Sequence, residues 1–246
     1  MNKLLSHSIL FFSALLIISS CSSSEIGESK DVNQETIYQA YHVTHTEGNE
    51  LVELTAQFRF AGDNGTTLVL SKPGSISFDD RIISVDSSEF EGAFYKTSYA
   101  VNNFYGKHHL IFKDINGKKF DNEFNFDTFK LVDVPATTYK NQPLQIRFET
   151  TALGENDYIE VQSINTDSSF SAVHLAGNTN HFISIPAKEL QRQKSSSVSL
   201  VISLLKRVAL KQPTKEGGEI LIEQTLKPIN IQLADMMIAE ILNAKD

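Results

Sequence analysis

The sequence predicts an all-β protein: two tandem antiparallel β-sandwich domains, immunoglobulin-like in architecture, behind a signal peptide and a flexible tether. Three observations carry this reading. Val52-Glu-Leu-Thr-Ala-Gln-Phe-Arg-Phe60 alternates apolar and polar residues, and a period of two places alternate side chains on opposite faces of a strand. Short segments of this kind recur, separated by turn clusters such as Ala61-Gly-Asp-Asn-Gly65 and Asp114-Ile-Asn-Gly117, as in sandwiches and barrels. The pattern pauses at Asp133-Val-Pro-Ala136, where Pro135 disfavours a central strand. The expected domains are therefore 35–133 and 134–246.

The first 20 residues have a different character. Lys3 precedes the apolar run Ile9–Ile18 and the small residues Ser19 and Ser20, the layout of a secretory signal. The run falls short of the roughly 20 apolar residues of a transmembrane helix. Cleavage after residue 20 would leave 226 of the 246 residues (246 less 20). It would remove Lys3 and no acid, moving the net side-chain charge from −8 to −9. Such an acidic chain argues against nucleic acid as a partner, because phosphate binding relies on clustered Lys and Arg. Cys21 is the one cysteine, so disulfides cannot staple the domains and stability must come from apolar cores.

Ile18-Ser19-Ser20-Cys21 resembles a bacterial lipobox: an aliphatic residue, two small residues and an invariant cysteine. The resemblance covers about the first 21 residues, and Ile18 stands where the family often has leucine. It implies diacylglyceryl transfer to the Cys21 sulfur, cleavage between Ser20 and Cys21, and acylation of the new N-terminus. It also implies a membrane partner through the covalent lipid. Ser22, a non-aspartate residue after the cysteine, fits outer-membrane sorting in that family. Several acyl chains anchor stably where one binds marginally, since each buried methylene contributes about 0.8 kcal/mol. An ordinary thiol and an uncleaved anchor are the plainer readings of Cys21.

Residues 21–34 contain Ser22-Ser-Ser24, Glu25, Glu28 and Asp31 but few aliphatics, the composition of a flexible linker. The first domain then predicts a hairpin through Ala61–Gly65 into Leu68–Leu70, and strands at Ile76–Phe78, Arg81–Val85 and Ala93–Tyr99. A second hairpin turns on Asn116-Gly117, a pair that accepts the positive φ of tight turns. In the second domain, strands are expected at Leu144–Phe148, Tyr158–Gln162, Ser169–Val173, His181–Ile185, Glu219–Leu226 and Ile229–Leu233. Ser197–Leu210 carries both helical and strand spacing, and its β-rich neighbours favour a strand through Lys206. Met236–Asn243 fits a helix or a final strand. The Cys–Trp–Cys core of true immunoglobulin domains is missing, since the chain has no Trp.

Residues that could carry chemistry are few. His108 and His109 are adjacent, so a strand points them to opposite faces, and His42 and His45 differ in parity. No four-ligand or three-ligand set is recognisable, so no metal or cofactor is expected. Asp114-Ile-Asn-Gly-Lys118 lacks the twelfth-position Glu of a calcium loop, Asn125 standing there, and Asp79-Asp80 reads as a solvated loop pair. Ser203-Leu-Leu-Lys206 matches Ser-x-x-Lys without its companion motifs. Phe94, Tyr95, Tyr99, Phe104 and Tyr105 offer a stacking platform for glycan or peptide, or else core packing. No catalytic residue is assigned. The expected function is a lipid-anchored envelope protein, non-enzymatic, that binds, adapts or supports an envelope protein partner. The alternative is an extracellular polymer-processing enzyme or a glycan- or peptide-capture protein.

Overall fold

The computed structural model describes residues 26–88, 91–151, 153–164, 168–175 and 181–235. Ser20, Cys21 and the segment Met236–Asn243 lie outside the described residues. In chain order the first strands are β1 (Ile26–Glu28), β2 (Ile37–Thr46), β3 (Leu51–Phe60), β4 (Thr66–Val69), β5 (Ser75–Phe78) and β6 (Arg81–Ile82). Next come β7 (Val85–Ser88), β8 (Gly92–Ala100), β9 (Gly106–Lys113), β10 (Lys119–Phe126), β11 (Lys130–Asp133) and β12 (Thr137–Tyr139). The chain continues through β13 (Leu144–Glu149), β14 (Tyr158–Ile164), β15 (Ser171–Leu175) and β16 (Phe182–Ile185). After the short helix α1 (Ala187–Gln191) it closes with β17 (Ser197–Thr214), β18 (Gly217–Thr225) and β19 (Ile229–Ala234).

The architecture is all-β and sandwich-like. A 12-stranded sheet runs in the order β1-β4-β3-β2-β18-β17-β14-β15, with β8 and β7 joined through β3, and β19 and β12 through β17. A 4-stranded sheet, β10-β9-β5-β6, covers one part of it, and a 3-stranded sheet, β11-β13-β16, covers the other. Two apolar clusters result. The first packs Tyr41, Phe58, Phe112, Phe120, Ile220 and Ile222 together. The second contains Ile146, Phe148, Ile159, Val161, Leu200, Ile202 and Leu204.

The large sheet is common to both clusters, and β17 is the strand that joins them. Its even-numbered residues face inward: Val198, Leu200, Ile202 and Leu204 enter the second cluster, while Val208 and Leu210 pack on the first. The segment is thus strand, as its neighbours favour, and it continues to Thr214. The hairpin partner β18 lies beyond residue 134, yet it pairs in parallel with β2 and gives Ile220 and Ile222 to the first cluster. Gly218 permits this approach, because a Cβ there would sit 2.2 Å from the Gln39 carbonyl oxygen.

The predicted hairpin at Asn116-Gly117 is present between β9 and β10. Asp114 Oδ1 accepts the amide hydrogens of Asn116 and Lys118, each at 2.9 Å, and Gly117 takes φ +84. The expected tether is ordered over 26–34, which corrects that part of the sequence reading. Ile26–Glu28 pair in parallel with Thr67–Val69. The buried Gln34 amide donates to the Ser29 carbonyl at 2.6 Å and to the Val32 carbonyl at 3.0 Å. Main-chain pairing and side-chain hydrogen bonds here replace the apolar burial that composition lacks.

Candidate functional site

Alternation along β2, β3, β18 and β8 leaves one face of the large sheet outside both clusters. A groove of about 440 Å³ lies on that face. Register builds it: Ala40 lies opposite Gln57 on one side and Glu219 on the other, and His42 lies between Thr55 and Leu221. Ala40, Leu221 and the nearly buried Phe94 give the floor an apolar character. Arg59, Gln57, Glu91, His42 and Glu219 form polar walls.

These wall groups are held by protein partners. Gln57 Nε2 donates to the Glu91 carbonyl at 2.9 Å. The Arg59 guanidinium donates to Gln57 Oε1 at 2.8 Å and to the Gly65 carbonyl at 3.2 Å. His42 Nε2 lies 3.3 Å from the Glu223 carboxylate, at ion-pair distance but without hydrogen-bond geometry. Arg207 binds the Glu219 carboxylate, which raises the guanidinium further above its ordinary range. Beside Arg59, burial pushes the Tyr38 hydroxyl up, helped by the Glu219 and Asp63 charges, so Tyr38 is a neutral donor at neutral pH. The arrangement can grip a ligand with an apolar body and polar edges.

A second cleft, of about 470 Å³, opens where the two clusters meet. Between Leu204 and Val208 the inward position of β17 is Lys206, whose side chain is 11% exposed. Its ammonium lies 3.1 Å from Asp127 Oδ2. Asp127 also accepts the Thr151 hydroxyl at 2.5 Å, while its carbonyl accepts Gln224 Nε2 at 2.8 Å. Burial alone would raise the Asp127 carboxyl, but the Thr151 hydroxyl and the Lys206 ammonium outweigh it and hold the carboxyl below the usual range. Lys107 and Lys211 both approach Glu123 at the rim. This seam of polar groups is where an inward leucine would have fused the clusters.

Ser203 and Lys206 point to opposite faces of β17, Ser203 Oγ meeting Thr225 Oγ1 at 2.8 Å, so they form no dyad. His108 is buried and His109 faces outward, as strand parity requires. His108 stacks among Phe78, Phe104 and Phe124. Its Nδ1 lies 2.8 Å from Asp79 Oδ2 and its Nε2 lies 2.5 Å from the Phe104 carbonyl. Asp79 Oδ1 also accepts the His109 amide hydrogen at 2.9 Å, so Asp79 is a clasp and not merely a solvated carboxylate. Asp79 and Asp80 take φ +43 and +65, a conformation that Asp tolerates better than most residues. Phe94, Tyr95 and Phe104 are buried and Tyr99 packs against the first cluster; Tyr105 is exposed and lies against Phe126. Core packing therefore accounts for most of that aromatic set.

Among the described residues, no group of three or more His, Cys, Asp or Glu is arranged to hold a metal ion. The groove escaped the sequence reading because the outward residues of β3 look like an ordinary wet face. Its signal was Ala40 and Leu221, apolar residues at outward positions. The chain matches no protein-family model and no curated protein sequence.

Proposed function

We propose that this protein is a lipid-anchored, exported envelope protein that acts as a non-enzymatic binding module, with its ligand surface in the groove of the large sheet. Acylated Cys21 would hold it on the outer membrane, facing the periplasm or the surface. The groove carries the binding half of the reading: an open surface with an apolar floor, walled by polar side chains of which Gln57, Arg59 and Glu219 are already held by Glu91, Gly65 and Arg207. Fixed walls favour binding, because less side-chain entropy is lost when a ligand arrives. The finer fold reading, two immunoglobulin-like sandwiches in tandem, draws on the two apolar clusters, although both lie on one shared sheet and Ile220 and Ile222, from beyond residue 134, enter the first.

Glu91 and Glu219 both line the groove, which keeps an enzyme acting on an extracellular polymer as the second reading. One experiment separates them. A photo-crosslinking residue at Thr55 in the anchored protein should capture an envelope ligand, and Leu221→Arg should abolish capture. Equal capture from Ser184, on the 3-stranded sheet, would contradict the groove assignment. Turnover of a bound glycan or peptide, lost in Glu91→Gln or Glu219→Gln, would favour the enzyme.

A further inference from the structure

We infer that the lipid anchor holds the molecule by one end, so that the turns at Ala61–Gly65 and Lys215–Glu216 face phospholipid headgroups and the second apolar cluster is carried outward. The inference rests on the acylation of Cys21 proposed above. Strand register defines the end. Ile26 pairs with Thr67, Thr66 with Phe60, and Phe60 with Ile37. Gln39 then pairs with Gly218, and Thr214 with Gly217. The first described residue, both turns and the start of β2 therefore lie at the same end of the large sheet.

The chain leaves this end on its way back to Cys21. Residues 21–25 span at most about 17 Å when fully extended, so the acylated residue cannot reach the opposite end. From Thr214, β17 runs away from the anchor, and at roughly 3.3 Å per residue its start at Ser197 lies on the order of 50 Å distant. Leu200, Ile202 and Leu204, on that far half, belong to the second cluster.

The near end suits a lipid surface in two ways. Ile26 and Phe60 are exposed there, at 44% and 41%, apolar side chains that can enter the headgroup boundary. Two cations near this end are already paired with acids, Lys30 with Glu28 at 2.5 Å and Lys118 with Glu35 at 2.8 Å. Orientation then comes from the tether and not from anionic lipid, so salt should leave it unchanged.

The test uses the full, acylated chain in phosphatidylethanolamine–phosphatidylglycerol vesicles carrying an energy-transfer acceptor lipid. Acylation consumes the Cys21 thiol, so Asp63→Cys and Lys194→Cys each present a single labelling site. Co-sedimentation with the vesicles reads anchorage, and donor quenching reads distance. The expected result is co-sedimentation of both variants, with transfer several-fold greater from position 63 than from position 194. Lys215→Cys and Gln232→Cys should repeat that order, guarding against a local effect of either probe. Equal transfer, or greater transfer from 194 and 232, in protein that co-sediments overturns the orientation. Failure to co-sediment overturns the anchoring reading, and the orientation with it.

Discussion

Replacing Asp127 by Ala should destabilise the fold by leaving Lys206 charged and nearly buried without its partner. Removing one member of a buried ion pair costs about 3–5 kcal/mol. Here the side chains of Lys206 and Asp127 are 11% and 21% exposed, so residual solvent reduces the loss to about 2–3 kcal/mol. For a chain of this size about 1 kcal/mol moves Tm by 2–4 °C, giving a fall of roughly 5–10 °C. Urea unfolding and calorimetry at neutral pH measure both. Asp127→Ala with Lys206→Met should recover most of the loss, since an apolar pair can replace a buried ion pair at little cost. The pH dependence has a definite sign. The folded carboxyl titrates below its unfolded value, so its contribution is complete above the unfolded pKa and is lost as pH falls through the folded one. The difference between wild type and Asp127→Ala should shrink in acid. A double variant no more stable than the single, or a difference unchanged in acid, would refute this account of the seam.

Two further substitutions probe the clasp and the sheet. His108→Phe should keep the ring packing with Phe78, Phe104 and Phe124 but remove the ring nitrogens from Asp79 Oδ2 and the Phe104 carbonyl, while Asp79 Oδ1 keeps the His109 amide. The expected loss is about 1–3 kcal/mol by urea unfolding, and unchanged stability would show that the clasp contributes nothing. Gly218→Ala should force its Cβ against the Gln39 carbonyl at a left-handed φ of +150, costing about 1–3 kcal/mol of backbone strain. Amides along β2 and β18 should then exchange faster than those in the 3-stranded sheet, whereas uniform exchange would mean that the parallel pairing does not depend on this glycine.

Much of the strand pattern was legible because half-buried strands announce themselves locally. Val52, Leu54, Ala56 and Phe58 are fully buried on β3, as their alternation predicts. Phe60 shares their parity but is exposed, because it lies at the strand end beside the turn. The β9–β10 hairpin was legible from Asn116-Gly117. Partner choice was not legible, because alternation says which face is inward and not which strand lies alongside. The parallel pairing of Ile37–Thr46 with Gly217–Thr225 therefore had no local signal beyond Gly217-Gly218. Residues 26–34 were misread for the opposite reason: Gln34 and the edge of β4 stabilise them through hydrogen bonds, which composition does not register. The groove and the Asp79–His108 clasp depend on contacts between segments distant in sequence, and Lys206 at an inward position was the one visible hint of the seam.

In the proposed function, lipid on Cys21 delivers a folded binding module to a membrane. Mass spectrometry of the N-terminal peptide from membrane-purified protein reads that attachment at the residue itself. The expected peptide begins at Cys21, with diacylglyceryl on its sulfur and an acylated amino group. A peptide that retains residues 1–20, or one in which Cys21 carries a free thiol, would contradict the attachment.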